Sequence, residues 1–208
     1  MCYYAIMPLE KLTNYHHGDL KNTLLTHALE ALEVGGLENL SLRDLAQSAG
    51  VSKTAPYRHF KDKQALLVEI AAEGFQLLAD NLETAQGQQA HSPPSQDPLR
   101  GLKPALKAYV DFSRSRPELY KIMFSKIGYG LHSDRCKINA NRAMGCLISS
   151  AVAAQAAGWK SKVPPTSLVL SLWSLGHGWA SMLTEQLIPP ELNFNPDQWI
   201  DSVLDLIQ

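Results

Sequence analysis

The stretch LSLRDLAQSAGVSKTAPYRHFKDKQALL, residues 40–67, contains two short helical segments separated by a glycine turn. Ser41 and Asp44 have the spacing of a capping box, with aspartate in place of the usual glutamate, and Gly50 is a typical helix terminator. The first short helix is therefore predicted to open at Ser41 and to stop at Gly50. Two short helices joined by a tight turn, with longer helices before and after, are typical of a helix-turn-helix.

Pro56 decides how the second short helix is interpreted. A proline in a helix interior removes a backbone donor and costs about 3 kcal/mol. If the helix begins between Ser52 and Thr54, however, Pro56 lies in its first turn, where backbone N–H groups have no helical partner in any case. We therefore predict that Pro56 marks where this helix starts and stiffens the end that would meet DNA bases.

A longer helix is predicted before this pair. Apolar residues repeat at every fourth position from Leu20 to Leu32, which indicates a helix with one core-facing side. Asp19 is a suitable N-terminal cap, and Gly35 and Gly36 are suitable residues to end the helix. The pair is therefore braced by a helix on its N-terminal side.

The chain after the pair is predicted to be helical to its end. A connecting helix spans residues 62–85 with Asp62 as its cap, and a stretch rich in Gly, Gln, Ser and Pro at residues 87–98 predicts a flexible loop. No alternation of Val, Ile and Thr between turn residues predicts a strand. Further helices are predicted at residues 99–115, from 117, at 134–158, at 165–187, and from 196 onward with Asn195 as cap.

The predicted fold class is therefore all-α. A three-helix helix-turn-helix module at residues 13–61 is followed by a C-terminal domain at residues 62–208, which begins with the long fourth helix and continues as a helical bundle. The hydrophobic content of 45% is ordinary for a chain that buries a core.

The basic residues are concentrated in the quoted stretch. The chain carries 19 Lys and Arg against 20 Asp and Glu, a formal net charge of −1, so it has no overall basic excess. Any nucleic-acid partner must therefore be met by a local patch. Residues 41–63 carry five cations against Asp44 and Asp62, namely Arg43, Lys53, Arg58, Lys61 and Lys63.

Cysteine and charge patterns predict a cytoplasmic protein. Besides Cys2, the chain has Cys136 and Cys146, which lie ten residues apart, about 15 Å along one predicted helix and too far for a disulfide. Reduced thiols are expected, and a redox role for either cysteine stays open. Residues 163–184 carry no charge, but their prolines, serines, threonines and histidine are too polar for a lipid bilayer.

The quoted stretch resembles the DNA-binding module of the tetracycline-repressor (TetR) family of bacterial transcription regulators. The resemblance extends without gaps over about residues 15–67, and its most specific part is an aromatic–x–His–Phe–Lys–x–Lys string that begins at Tyr57. It implies three phosphate contacts, one of them made from the start of the fourth helix, and base contacts from the second short helix. The implied phosphate ligands are Tyr57, His59 and Lys63, and the implied base contacts are Lys53, Thr54 and Ala55.

Arg43 has two interpretations of equal standing. It matches a position that contacts bases in some members of the family, and it is also a plausible solvated surface charge.

The C-terminal half resembles a Trp–x–x–x–His–Gly subclass of the same family. The segment LWSLGHGWASML, residues 172–183, carries that pattern, and RPELYKIMF, residues 116–124, is also similar to the subclass. Trp173 and His177 are four residues apart and share one helical face with Leu170. A histidine on an uncharged helix is either a hydrogen-bonded core residue or a pocket residue. The resemblance favours a pocket, with candidate lining residues Tyr109, Phe112, Tyr120, Met123, Phe124, Met144, Trp173 and His177.

The hypothesis that follows is a ligand-responsive repressor that binds a palindromic operator as a homodimer. Two long uncharged segments, residues 143–159 and 163–184, exceed what one small bundle buries, so the penultimate and last helices are expected to pack against a second subunit. A regulator without a small-molecule effector, and an activator, stay open as alternatives.

An enzyme is the remote alternative. We find no carboxylate pair, nucleophile–base pair, glycine-rich phosphate loop or metal-ligand spacing, and His16 with His17 lacks a third ligand. We predict no metal and no cofactor.

Overall fold

The computed structural model describes residues 20–90, 97–126, 133–192, 195 and 198–206. Within these residues the chain forms eight α-helices and two 3-10 turns, and no strand. The all-α prediction is confirmed. The helices are α1 Leu20–Gly35, α2 Leu42–Ser48, α3 Lys63–Ala90, α4 Leu102–Ser115, α5 Pro117–Phe124, α6 Asp134–Ala156, α7 Pro165–Thr184 and α8 Trp199–Leu206, and the 3-10 turns are Pro56–Arg58 and Pro190–Leu192.

The predicted ends of the first two helices are confirmed. α1 ends at Gly35, and Gly36 has a φ of +69°, a conformation that favours glycine. Ser41 caps α2 by accepting a hydrogen bond from the backbone N–H of Asp44 at 3.1 Å. Gly50 follows α2 with a φ of +66°. The predicted cap Asp19 lies outside the described residues.

The second short helix of the pair is shorter and begins later than predicted. Only Pro56–Arg58 is helical, and it is a 3-10 turn, which we call the recognition turn. Because Pro56 has no N–H to donate, the carbonyl of Ser52 accepts from the N–H of Ala55 at 2.9 Å, which closes a turn before the helical part starts. Pro56 occupies the first helical position and so marks where the helical part starts, although the prediction placed it within the first turn of a helix that begins between Ser52 and Thr54.

α3, the predicted fourth helix, is the longest element. Its cap Asp62 accepts from the N–H of Ala65 at 2.8 Å, as predicted. The helix continues to Ala90 and not to residue 85, because Gln86 donates to the Cys146 carbonyl of α6 at 2.8 Å and so fixes the last turns against the bundle. The predicted loop therefore begins after Ala90, and residues 91–96 lie outside the described part of the chain.

α3 and α6 pack along each other over most of their length. Arg142 of α6 pairs with Asp80 at 2.8 Å and with Glu83 at 2.7 Å on α3. Arg135 contacts Glu73 about two to three turns further toward the start of α3. Exposed ion pairs contribute at most about 1 kcal/mol each, so the buried apolar contact is what holds the two helices together.

The remaining helices complete a bundle with two apolar clusters. The larger cluster runs from α1 and α2 through the recognition turn into α3, α5 and α6, so the DNA-binding module and the bundle share one core. The smaller cluster joins α4, α7 and α8, where the rings of Trp179 and Trp199 stack at 4.8 Å.

Four predicted helix boundaries differ from the observed ones. In the structure, α4 starts at Leu102, α6 ends at Ala156, α7 ends at Thr184 and α8 starts at Trp199.

Two further sequence expectations concern α6 and the membrane. Cys136 and Cys146 both lie on α6, buried and free of a disulfide. None of the described helices is long and apolar enough to span a membrane.

Candidate functional site

The recognition turn presents one aromatic and several basic side chains to solvent. Pro56 is buried and Phe60 is only 1% exposed, so these two residues anchor the turn in the core of the module. Tyr57 is 54% exposed, and His59 is exposed beside it. The predicted contact residues Arg43, Lys53 and Thr54 are also exposed, and Ala55 is half-buried.

The cations on this face have no counter-ion among the described residues. Within the described part of the chain, no ion pair involves Arg43, Lys53, Arg58 or Lys61. Their charges are therefore available to a polyanion. This arrangement is the local basic patch that the sequence predicts on a chain of nearly zero net charge.

Lys63, a predicted phosphate ligand, also has a contact inside the module. Its ammonium donates to the Leu37 carbonyl at 2.8 Å, which ties the start of α3 to the segment between α1 and α2. An ammonium has three N–H donors, so this bond leaves two for an external acceptor. Sequence reasoning missed this contact because it joins residues 26 positions apart.

The bundle encloses a cavity of about 260 Å³ next to His177. Five of the predicted ligand-binding residues line it, namely Tyr109, Phe124, Met144, Trp173 and His177. Sequence reasoning missed the other lining residues, which are Phe75, Leu78, Leu82, Ala105, Leu106, Ala140, Asn141, Ala143, Leu147, Leu172 and Gly176. The sequence did contain a signal for the lining residues on α3, because Phe75, Leu78 and Leu82 have the three- and four-residue spacing of one helical face.

Three predicted lining residues lie elsewhere. Phe112 follows Tyr109 by three residues, which rotates its side chain by about 60° and moves it about 4.5 Å along α4. With Ala108 it therefore faces a second groove between α3 and α4. Met123 is fully buried against α3. Tyr120 lies behind the cavity wall, where its hydroxyl reaches His177.

Leu170 shares a helical face with Trp173 and His177 by its spacing. It is 51% exposed and is not among the described residues that line the cavity.

The polar corner of the cavity consists of Tyr109, Tyr120 and His177. The Tyr120 hydroxyl lies 2.7 Å and the Tyr109 hydroxyl 3.0 Å from Nδ1 of His177, and the two hydroxyls are 3.1 Å apart. The Phe124 ring packs on the imidazole with 4.6 Å between centroids. His177 is thus hydrogen-bonded inside the bundle and also lines the cavity.

The polar corner is uncharged near neutral pH. Burial lowers the pKa of His177 and so favours the neutral imidazole. Burial also raises the pKa of Tyr120 to about 12, although hydrogen bonds with Tyr109 and Ser181 oppose the rise. Among the described residues, no cluster of His, Cys, Asp and Glu has the makings of a metal site.

Two family models match the chain. One, described as "Bacterial regulatory proteins, tetR family", matches residues 24–70, and the other, described as "Tetracyclin repressor-like, C-terminal domain", matches residues 102–207. The more specific resemblance to the Trp–His–Gly subclass stays a prediction.

Comparisons with individual proteins agree with the family models. The chain is 34% identical over 102 residues to the tetracycline repressor protein class A from transposon 1721 of Escherichia coli, a match that covers 45% of this chain and 43% of that repressor. A protein of unknown function from Rhodococcus sp. RHA1 has a similar structure, with a TM-score of 0.74, 30% identity and coverage of 93% of this chain and 96% of that one.

A third similarity concerns the fold alone. The structure of AibR in complex with isovaleryl coenzyme A and operator DNA matches with a TM-score of 0.60 at 16% identity, covering 89% of this chain and 96% of that one.

Proposed function

Since this chain belongs to the TetR family of bacterial transcription regulators, which are DNA-binding proteins and not enzymes, we propose that it is a ligand-responsive repressor. In this proposal a homodimer occupies a palindromic operator, and a small effector in the cavity releases it. The observation that carries the proposal is that α3 contributes to both sites. Its first residue, Lys63, lies next to the recognition turn, and Phe75, Leu78 and Leu82 line the cavity.

At the DNA, the recognition turn enters the major groove. Tyr57, His59 and Lys63 contact phosphates, and these contacts fix the orientation of the module without reading sequence. Base contacts come from the exposed segment just before the turn, where the Lys53 ammonium can reach guanine O6 or N7. The methyl groups of Thr54 and Ala55 can meet a thymine methyl, and Arg43 supplies a further base contact.

In the bundle, the effector acts through the position of α3. An effector changes DNA affinity only to the extent that it binds one arrangement of α3 more tightly than another. A cavity beside Trp173 and His177 favours this function over a regulator whose bundle only dimerises. AibR has a similar fold and its structure contains both isovaleryl coenzyme A and operator DNA, which supports a function in which ligand and DNA bind one protein.

The homodimer forms through α7 and the helices beside it. Leu170 and Met182 are 51% and 40% exposed on α7, and Ile148 and Val152 are 43% and 48% exposed on α6. α7 carries no charged residue, and an uncharged apolar face of this extent is typical of an interface. A dimer would place two recognition turns about 34–36 Å apart, one turn of the duplex.

Footprinting on the DNA that flanks the gene for this protein tests the proposal. A protected palindrome is expected at modest salt, and Tyr57→Ala should remove the protection while leaving the protein folded, because Tyr57 is largely exposed. The absence of any protected palindrome would overturn the proposal. Transcription assayed from the same DNA, with and without protein, separates a repressor from an activator.

A further inference from the structure

The described residues that line the cavity offer no charge to a ligand. They include no Lys, Arg, Asp or Glu, and apolar side chains with Gly176 make up most of the surface. A charged ligand group enclosed there would lack a counter-ion, and a buried unpaired charge costs several kcal/mol. The shape and the chemistry of the wall therefore select an uncharged molecule.

The polar corner fixes the position of one proton. Two phenol hydroxyls converge on Nδ1 of His177, from Tyr120 at 2.7 Å and from Tyr109 at 3.0 Å. A phenol is a better donor than acceptor toward an imidazole nitrogen, so Tyr120 donates to Nδ1 and Tyr109 donates to the Tyr120 oxygen. An imidazole whose Nδ1 accepts, and which is neutral, carries its proton on Nε2.

The Nε2–H of His177 is then a donor in need of an acceptor. No hydrogen bond to Nε2 is made by any group in the described part of the chain, where both bonds of this ring go to Nδ1. Phe124 and Trp173 flank the ring with centroid distances of 4.6 and 6.1 Å and offer no acceptor oxygen. The unused donor thus lies on the side of the ring away from the two tyrosines, on a residue that lines the cavity.

On the basis of the proposed effector response, we propose that the effector is a small neutral molecule with an apolar body and one carbonyl or hydroxyl oxygen that accepts a hydrogen bond from Nε2 of His177. The cavity of about 260 Å³ is smaller than the roughly 300–1,000 Å³ of sites for drug-sized ligands, which limits the body to a single ring or a short chain. Tyr109 and Tyr120 are positioning residues, because they set the tautomer of His177 and do not themselves bind the oxygen.

Three probes of one skeleton test this ligand class on the full-length protein. Butyrophenone carries the carbonyl, butylbenzene replaces it with a methylene, and 4-oxo-4-phenylbutanoate adds a carboxylate. Binding is followed by the indole N–H signal of Trp173 in nitrogen-15 spectra, assigned with Trp173→Phe. We expect the ketone to bind about tenfold more tightly than the hydrocarbon, the usual effect of one neutral hydrogen bond, and the carboxylate to bind most weakly.

A pair of variants locates the donor. His177→Phe keeps a ring of similar size but has no N–H, so ketone and hydrocarbon should bind it equally. Ile138→Ala, at an exposed position on α6 that is not among the residues lining the cavity, should retain the tenfold preference. A tautomer measurement on the wild-type protein does not depend on how the variant folds. The nitrogen-15 shifts of His177 should show a neutral ring protonated at Nε2, and a proton on Nδ1 would overturn the inference.

The outcomes separate the ligand class from the regulatory function. Equal binding of ketone and hydrocarbon to the wild type, or tightest binding of the carboxylate, overturns the inference and leaves an effector response possible. Failure of all three probes to bind also overturns it. A ketone that binds with the expected preference but does not release operator DNA supports the ligand class and counts against the proposed repressor mechanism.

Discussion

Lys63 is placed to serve both the fold of the DNA-binding module and its contact with DNA. Its ammonium donates to the Leu37 carbonyl, yet it keeps two N–H donors at the start of α3, where the helix dipole also favours a phosphate. We expect Lys63→Ala to lower the slope of log K against log salt by about 0.9, the change for one lost phosphate contact. It should also lower the free energy of unfolding by about 1 kcal/mol through the lost Leu37 bond.

Lys61→Ala is the matched control for this prediction, because Lys61 is exposed and its side chain forms no ion pair within the described residues. Its unfolding free energy should equal that of the wild type. Operator titrations at four salt concentrations and urea denaturation measure the two effects separately. An unchanged salt slope in Lys63→Ala, together with lower stability, would restrict Lys63 to its structural bond.

His177 makes stability depend on pH. Its pKa is lower in the folded protein than the ordinary value near 6.5, because burial disfavours the imidazolium. Between these two pKa values the unfolded chain binds more protons, so the contribution of His177 is complete above about pH 6.5 and is lost as the pH falls through the folded-state pKa. The wild type should therefore lose more unfolding free energy between pH 7.5 and 5.5 than His177→Phe does.

The comparison cancels the other titrating groups, which both proteins share. Urea denaturation at the two pH values measures the difference, and Tyr120, with a pKa of about 12, does not titrate in this range. An equal loss in the two proteins would contradict a desolvated histidine at this position.

The chemistry of the polar corner could be predicted from sequence only in part. The four-residue spacing of Trp173 and His177 predicts only that they share one helical face, and it was the resemblance that favoured a pocket; both side chains line the cavity. The bonds from Tyr109 and Tyr120 to His177 cross between three helices over 68 and 57 positions of the chain. A periodic pattern tells which face of a helix is apolar, but not how the neighbouring helix is rotated against it.

Among the elements, α3 and α5 pack tightly against each other at Gly74. A Cβ on Gly74 would lie 2.6 Å from the Met123 sulfur and 2.7 Å from its Cγ, and Met123 is fully buried. We expect Gly74→Ala to lower the free energy of unfolding by about 1–3 kcal/mol, because overpacking forces the two helices apart. The double variant Gly74→Ala with Met123→Ala removes the side chain that the new methyl group would meet. It should lose less free energy of unfolding than the two single variants lose together.

Gly87→Ala is the matched control on the same helix. A Cβ there would meet no atom within 4 Å, so the substitution should raise the free energy of unfolding by up to about 1 kcal/mol through helix propensity alone. In thermal or urea denaturation, the change in the free energy of unfolding should therefore be negative for Gly74→Ala and positive for Gly87→Ala. A stabilising Gly74→Ala would show that α5 can move away from α3 without cost.

Element boundaries were predictable where a cap or a turn residue sets them, as at Ser41 and Asp62. The boundaries were not predictable where contacts across the bundle determine at which residue a helix ends. α3 runs past Gly87 because Gln86 bonds to α6, and no local pattern near residue 86 contains that information. The recognition turn is short for the opposite reason, since Pro56 limits helical bonding locally.

In the whole molecule, α5 offers a second connection between the cavity and the DNA-binding module. Phe124 lines the cavity, Tyr120 bonds to His177, and Glu118 at the other end of the same helix approaches Gly36 at the end of α1. α3 connects the same two regions along its own length. In the proposed function, a ligand that moves the polar corner acts on the module through both helices, a connection that the sequence, read as one periodic segment after another, does not reveal.

The assembly is testable on the exposed uncharged face of α7. Leu170, Ser174, Gly178 and Met182 follow one another at four-residue spacing, and all are exposed in the single chain. We expect Ser174→Lys to leave the monomer folded, since it alters only an exposed position, and to dissociate the dimer by burying two unpaired ammonium groups across a twofold interface. When the dimer dissociates, operator affinity should fall by more than tenfold, because one module alone contacts only half of a palindrome.

Ser115→Lys, at the exposed C-terminal end of α4, is the control, since a cation is favourable at a helix C-terminus and this position lines the groove between α3 and α4. The Ser115→Lys protein should remain a dimer and should bind the operator with the affinity of the wild type. Sedimentation velocity measures the assembly state, and circular dichroism confirms that each variant is folded. A Ser174→Lys protein that remains a dimer would place the twofold contact on another face, and the interface proposed for α7 would then have to be abandoned.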